Sequence, residues 1–112
     1  MQIHQSAEDY LETILMLNQR MGRVRSIDVV NELGYTKASV SIAMKKLREN
    51  GYIAVDGEGN LTLLEPGREI AERIYSRHRL LTHFFVQLGV EEDIAAEDAC
   101  KAEHILSEQT LE

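Results

Sequence analysis

One segment in the first half of the chain has the element order of a winged helix. Runs 27–33 and 37–50 have helical periodicity, and Gly34 ends the first of them, which is a helix-turn-helix signature. Two short β-prone runs, 52–55 and 61–64, follow around a Gly-rich tip and predict a hairpin. The sequence therefore predicts a winged helix-turn-helix that is mainly α, with a small β-hairpin wing.

Further helices are predicted on both sides of this segment. An amphipathic helix spans 6–19, with Ser6 as its N-cap, and Ser26 and Thr36 are predicted to cap the two helices of the helix-turn-helix. Pro66 opens a long helix that ends before Gly89. From residue 92 a last helical pattern runs to the end of the sequence, without a cap.

Length and cysteine content exclude several classes of protein. The 112 residues suit one domain, or a small domain with an extension. A single cysteine excludes a scaffold held by internal disulfides, and no apolar run is long enough to cross a membrane. We therefore expect a cytoplasmic protein with no membrane partner.

The net charge of −7 is distributed unevenly along the chain. Residues 20–48 hold seven basic and two acidic groups, whereas residues 51–112 hold five basic and thirteen acidic groups. Because local charge governs nucleic-acid binding, the basic helix-turn-helix favours DNA as a partner. An ordinary solvated surface is the alternative reading of this charge.

Three side chains near the C-terminus have the spacing of metal ligands. Cys100, Glu103 and His104 lie at positions i, i+3 and i+4, which share one face of a helix. Thiolate, carboxylate and imidazole groups together suit first-row divalent ions. The alternative is that Cys100 is a small buried apolar residue and that the other two form a solvated face.

Two earlier helices offer further metal donors. Asp9 and Glu12 form an i, i+3 acidic pair on the first helix, and His78 lies on the inward stripe of the long helix. The acidic pair also suits the helix dipole, and His78 also suits a core position. Taken together, these groups predict a metal site with ligands from three helices.

Two other functions remain open on these residues alone. The Cys-x-x-Glu-His pattern is similar to a zinc-peptidase helix with its first ligand changed, but a peptidase leaves the winged helix unexplained. A winged-helix regulator without a metal is the main alternative, and a metal buffer is a further one. We expect a protein that is not an enzyme.

Two segments add a resemblance to a known family. With the winged helix, Ser76–Leu81 and Asp98–Ser107 resemble the iron- and manganese-dependent transcriptional repressors, which are diphtheria-toxin-repressor-like and include a manganese transport regulator branch. The resemblance implies a homodimer that binds operator DNA and regulates metal homeostasis. It implies a winged-helix DNA-binding domain at 1–65 and a helical metal-binding and dimerisation domain at 66–112. We expect the second domain to be shorter at its C-terminus than in longer members.

The resemblance also implies ligands and a cofactor. Primary-site positions are matched by Asp9, Cys100, Glu103 and His104, and second-site positions by Glu12 and His78. The acidic pair resembles the manganese branch and Cys100 the iron branch, so the implied cofactor is Mn²⁺ or Fe²⁺, with Co²⁺ or Zn²⁺ possible in vitro. Thr82 and Ala96 depart from the second site of the iron branch.

DNA contacts are expected from the second helix of the helix-turn-helix. Hydroxyl and ammonium groups near its start can reach phosphates or base edges, and lysines further along add positive charge. The predicted DNA-binding residues are Thr36, Lys37, Ser39, Ser41, Lys45 and Lys46. Asp56 and Glu58 would repel phosphate at the wing tip, so we expect the wing to contact DNA little, or only through Asn60 and backbone N–H groups.

Overall fold

The computed structural model describes residues 5–111, without the side chains of residues 5, 108 and 111. Its elements in chain order are α1 (Gln5–Met21), α2 (Ser26–Leu33), α3 (Lys37–Glu49), β1 (Ile53–Val55), β2 (Leu61–Leu63), α4 (Glu65–Gln87), α5 (Glu92–Ala102) and α6 (Glu108–Leu111). The chain forms two compact units that divide between Glu72 and Arg73, inside α4. No helix in the described range is long and apolar enough to span a membrane.

The first unit has the predicted winged-helix architecture. The two strands β1 and β2 pair antiparallel, with Ile53 opposite Leu63 and Val55 opposite Leu61. The backbone N–H of Leu61 also donates to the carbonyl oxygen of Val24 at 2.7 Å, which ties the wing to the segment before α2. The predicted helix-turn-helix and hairpin are both confirmed.

Local residue choices explain the turn between α2 and α3. Gly34 ends α2 in the left-handed conformation, at φ 71°, which favours glycine. Thr36 caps α3 as predicted, and its hydroxyl accepts from the backbone N–H of Ser39 at 3.1 Å. The two serine caps are wrong: α2 begins at Ser26 itself, and α1 begins at Gln5, so Ser6 lies inside the helix.

The core of the first unit is built from buried residues of α1, α2 and α3. On α3 the buried residues Val40, Met44 and Leu47 recur every three or four positions, which places them on one face. Within this unit α1 contacts α2, α3 and β2, while α3 contacts α2 and β1. The buried apolar residues of α1 are Tyr10, Leu11, Ile14, Leu15 and Leu17.

Gly67 allows the start of α4 to approach the wing closely. A Cβ atom at this position would lie 2.2 Å from the backbone oxygen of Tyr52 and 3.3 Å from a methyl group of Leu11. No side chain fits that space without a backbone shift, because the nearest atom is a carbonyl oxygen. The glycine thus fixes where α4 leaves the winged helix.

The second unit contains the rest of α4 together with α5 and α6. Gly89 has φ 100°, and the N–H of Val90 donates to the carbonyl oxygen of Phe85 at 3.1 Å, which closes the end of α4. Ala95 and Ala99 form the buried face of α5. The prediction of one continuous last helix is wrong, because α5 ends at Ala102 and residues 103–107 separate it from α6.

Candidate metal centre and nucleic-acid interface

A fully buried carboxylate lies at the end of α5. Glu103 has no exposed surface, and its Oε2 atom lies 3.1 Å from Nδ1 of His78 on α4. Its other oxygen, Oε1, lies 3.4 Å from Nε2 of His104, whose side chain is 1% exposed. Three of the predicted metal ligands are therefore brought together within the second unit.

The chemistry of this cluster fits a divalent cation. Burial of a carboxylate is costly unless nearby groups compensate its charge. Within the described range, no atom donates a hydrogen bond to Oε1 of Glu103, although this oxygen is buried. Carboxylate oxygen and imidazole nitrogen are both ligands of first-row divalent ions. The carboxylate of Glu103 and the imidazole of His78 are therefore suited to ligate such an ion.

Arg77 fixes the backbone that carries two of these side chains. Its Nη1 atom donates to the carbonyl oxygens of Glu103 at 3.2 Å and Leu106 at 3.3 Å. These oxygens follow the C-terminus of α5, where a positive charge is favourable. No local pattern in the sequence indicates this role of Arg77, because the contacts join positions 26 and 29 residues apart.

Cys100 lies on α5, one turn before Glu103, and is exposed. The predicted face of Cys100, Glu103 and His104 starts on the helix and continues into the following turn, where the N–H of Glu103 still donates to the carbonyl oxygen of Ala99 at 2.9 Å. The alternative of a solvated Glu103 is excluded by its burial.

Thr82, which departs from the second site of the iron branch, forms a hydrogen bond within α4. Its hydroxyl donates to the carbonyl oxygen of His78 at 2.7 Å.

The remaining two predicted ligands belong to the first unit. Asp9 and Glu12 lie one turn apart on α1. Glu12 is 5% exposed, whereas Asp9 is half-buried. A nearly buried acidic side chain on an amphipathic helix is unusual, because carboxylates are seldom buried without a compensating group.

The predicted DNA-binding residues divide into two groups. Lys37, Ser41, Lys45 and Lys46 are exposed on α3. The two hydroxyls closest to the helix start are instead bonded to each other, because the hydroxyl of Thr36 donates to that of Ser39 at 2.9 Å while capping the helix.

A cleft beside α3 adds groups that the prediction left out. It has a volume of about 220 Å³, and its polar lining comes from Ser26, Ser41, Lys45 and Arg48. Two hydroxyls and two cations at one cleft suit a phosphate group. Ser26 was predicted only as a helix cap, so its place in this lining is new.

The wing tip is closed by its own acidic residue. Asp56 accepts hydrogen bonds from the side chain and the backbone N–H of Asn60 and from the N–H of Glu58, at 2.9–3.0 Å. Donation by Asn60 lowers the pKa of the Asp56 carboxyl from its ordinary value. The groups expected to contact DNA from the wing are therefore engaged within the turn.

A winged helix with a basic recognition helix, followed by a helical unit with metal donors, defines a class of metal-responsive DNA-binding regulators. Two family models match the sequence: "Iron dependent repressor, N-terminal DNA binding domain" over residues 2–61, and "Iron dependent repressor, metal binding and dimerisation domain" over residues 64–112. The chain belongs to this family of iron-dependent repressors.

Individual relatives agree with this assignment. The chain is 36% identical to an uncharacterised HTH-type transcriptional regulator of Methanocaldococcus jannaschii, over 96% of this chain and 88% of that protein. It is 33% identical to the HTH-type transcriptional regulator MntR of Bacillus subtilis, over 96% of this chain and 75% of that protein.

Among solved structures, a manganese-dependent transcriptional repressor in complex with manganese is similar at a TM-score of 0.85 and 30% identity. That similarity covers 94% of this chain and 49% of the other, so the chain spans about half the length of this structure. The match to transcriptional regulators confirms the prediction of a metal-dependent regulator with a divalent metal cofactor, rather than an enzyme.

Proposed function

We propose that this chain represses transcription in the cytoplasm by binding operator DNA as a homodimer, with Mn²⁺ or Fe²⁺ raising its affinity for DNA. The observation that carries the proposal is the fully buried carboxylate of Glu103 beside His78 and His104. His78 and Glu103 would ligate a divalent cation from the second unit, and the winged helix would supply the DNA-binding surface of the first unit.

The proposed metal ligands come from both units of the chain. They are Asp9, Glu12, His78, Cys100, Glu103 and His104. Burial of Glu103, at 0% exposure, supports the proposal because buried carboxylates need compensating charge. A bound divalent cation would supply positive charge that offsets the repulsion among the carboxylates.

The donor types guide the choice of metal. Carboxylate oxygens suit Mn²⁺, whereas a thiolate favours Fe²⁺, Co²⁺ or Zn²⁺. The structural similarity to a manganese-dependent repressor supports Mn²⁺, and Cys100 supports Fe²⁺. We therefore expect one of these two ions in the cell, and Co²⁺ or Zn²⁺ as substitutes in vitro.

An exposed apolar stripe on α4 supports the homodimer. Leu80 and Phe84 lie one turn apart on α4 and are 47% and 53% exposed, Leu88 in the turn just after α4 is 67% exposed, and Ile94 at the start of α5 is 48% exposed. A second copy of the same stripe is a suitable partner, because two-fold symmetry places like residues against each other. The match to a dimerisation domain includes all four residues.

The proposed DNA surface is the exposed side of α3. Lys37, Ser41, Lys45 and Lys46 face solvent there, and we expect them to contact phosphates or base edges. Thr36 and Ser39 are also expected to contact DNA, from the helix start that Thr36 caps. We expect the cleft lined by Ser26 and Arg48 to hold a phosphate.

Within the first unit, the helix that carries two of the proposed metal ligands contacts the helix that carries the proposed DNA surface. Asp9 and Glu12 lie on α1, which contacts both α2 and α3. If α1 is tied to the second unit through shared ligands, the orientation of α3 relative to the dimer is restricted. Two recognition helices must enter successive major grooves about 34 Å apart, so this restriction raises affinity.

Operator binding with and without metal tests the proposal. Duplexes are selected from a randomised library in the presence of Mn²⁺, and their dissociation constants are then measured by fluorescence anisotropy. Mn²⁺ is expected to tighten binding by about 5- to 150-fold, the usual range for coupled sites. Equal affinity with and without each of Mn²⁺ and Fe²⁺ would contradict the proposal.

A matched pair of variants tests the site itself. Glu103→Gln removes the buried charge and is expected to abolish the response to Mn²⁺. Glu97→Gln makes the same change on the exposed part of α5 and is expected to keep the response. Loss of the response in both variants, or in neither, would contradict the assignment of Glu103.

A further inference from the structure

An exposed isoleucine occupies the middle of the outward face of α3. Val40, Met44 and Leu47 form the buried face of this helix. Ile42 lies two residues from Val40 and Met44, which places it on the opposite side, and it is 58% exposed.

The surroundings of Ile42 are small or polar. Ala38, one turn earlier, is also exposed, so the two residues form a short apolar strip along the helix. Ser41 and Lys45 lie on one side of the strip and Lys46 on the other. Lys45 Nζ lies 4.0 Å from a carboxylate oxygen of Glu49, at the far end of the strip.

The position of Ile42 on the recognition helix distinguishes it from an ordinary exposed apolar residue. Isolated surface isoleucines are common and need no function. This one lies on the face that a recognition helix turns toward the major groove, among lysines and a serine that suit the DNA backbone. The edges of the bases in that groove are polar except for the C5-methyl group of thymine.

We propose that Ile42, together with Ala38, contacts thymine methyl groups in each half of the operator and so helps to determine its sequence. The inference rests on the proposed function, because it requires α3 to enter the major groove. Ile42 suits the role because its β-branched side chain has few rotamers and loses little freedom on contact. The sequence preference thus comes from a residue outside the predicted set of hydroxyls and lysines.

Replacement of thymine by deoxyuridine tests this contact one methyl group at a time. The exchange removes only the C5-methyl group and leaves the hydrogen-bonding edges of the base pair intact. Duplexes are first selected from a randomised library with Mn²⁺, and each thymine is then exchanged in turn. At one thymine or more per half-site, the wild-type protein is expected to bind about fourfold more weakly, as for the loss of one buried methyl group.

Ile42→Ala tests the contact itself, and Lys45→Met is the control. At the thymine that Ile42 contacts, Ile42→Ala is expected to bind the thymine and deoxyuridine duplexes equally, because the side chain that senses the methyl group is shortened. Lys45→Met is expected to weaken both duplexes alike and to lower the salt slope by about one unit per protomer, or about two for the dimer, while it keeps the fourfold ratio. Ile42 is exposed, so circular dichroism and the melting temperature are expected to match the wild type.

The outcomes separate this inference from the proposed function. Failure to select any duplex with Mn²⁺ or Fe²⁺ would overturn both. Selection of duplexes that bind equally well with deoxyuridine at every position would overturn the role of Ile42 and leave DNA binding intact. An equal loss in wild type and Ile42→Ala at every sensitive thymine would also overturn it, since no methyl group would then be sensed by Ile42.

Discussion

The guanidinium group of Arg77 on α4 donates a hydrogen bond to the backbone carbonyl oxygen of Glu103, 26 residues later, at 3.2 Å. A second bond from the same nitrogen reaches the carbonyl oxygen of Leu106. The turn that carries Glu103 and His104 is therefore held by α4, the helix that also carries His78. Two of the proposed ligands lie outside regular helix and depend on this residue for their position.

Replacement of Arg77 by methionine is expected to loosen this turn. Amide hydrogen exchange of residues 104–107 in the metal-free protein is expected to accelerate, because two charge-assisted bonds are lost. The Mn²⁺ dissociation constant, measured by calorimetry, is expected to rise about tenfold, equivalent to about 1.4 kcal/mol. Arg77→Lys keeps the charge and is expected to restore part of both properties.

Arg79→Met is the matched control for Arg77. Its guanidinium carbon lies 5.9 Å from the ring centre of Tyr75, and the residue is exposed. We expect its exchange rates at 104–107 and its Mn²⁺ affinity to equal those of the wild type. Unchanged exchange in Arg77→Met, or the same acceleration in both variants, would show that Arg77 does not position the ligands.

Cys100 is expected to give the metal site a spectroscopic signature. A thiolate bound to Co²⁺ produces a charge-transfer absorption in the near ultraviolet, so the wild type is expected to show this band and Cys100→Ser to lack it. The variant is expected to lose more affinity for Co²⁺ and Zn²⁺ than for Mn²⁺, because thiolates favour the softer ions. Absence of the band in the wild type would leave Cys100 outside the coordination sphere.

The apolar stripe on α4 predicts a specific effect on assembly. Phe84→Glu places a charge in the middle of the stripe, and a symmetric dimer buries this position twice. The dimer dissociation constant, measured by sedimentation equilibrium, is expected to rise by more than about 100-fold. Val86→Glu alters an exposed apolar residue on another face and is expected to leave the dimer intact. Equal effects of the two variants would contradict assembly through this stripe.

Gly67 predicts a cost in folding stability. An alanine Cβ would lie 2.2 Å from the backbone oxygen of Tyr52, so either α4 or the wing has to shift. The free energy of unfolding, measured by urea denaturation, is expected to fall by about 1–3 kcal/mol. Gly57→Ala has no neighbour within 4 Å and is expected to change stability little. If Gly67→Ala has the same free energy of unfolding as the wild type, the close approach of α4 to Tyr52 is absent in solution.

The winged helix was predictable because its signals are local. Thr36 caps α3 through an atom three residues away, and Gly34 supplies the left-handed turn before it. The end of α5 was not predictable in the same way, because the helical pattern continues past Ala102. The turn there is held by Arg77 on α4, and the periodicity of a helix cannot predict a contact with another helix.

The candidate site was predictable in its residues but not in its arrangement. Spacing alone placed Cys100, Glu103 and His104 on one face, yet it gave no sign that Glu103 is fully buried between two imidazoles. Ile42 was missed although the sequence contained the signal, because a residue opposite Val40 and Met44 must face outward. The predicted DNA contacts were all polar side chains, so this apolar residue was not among them.

The proposed function requires that metal binding and operator binding are coupled through one chain. Coupling between two sites is reciprocal, so the most direct measurement is the Mn²⁺ dissociation constant with and without selected operator DNA, alongside the DNA dissociation constant with and without Mn²⁺. The proposal predicts that both ratios are equal and lie at about 5- to 150-fold. Tight Mn²⁺ binding with a DNA affinity that does not change would contradict it.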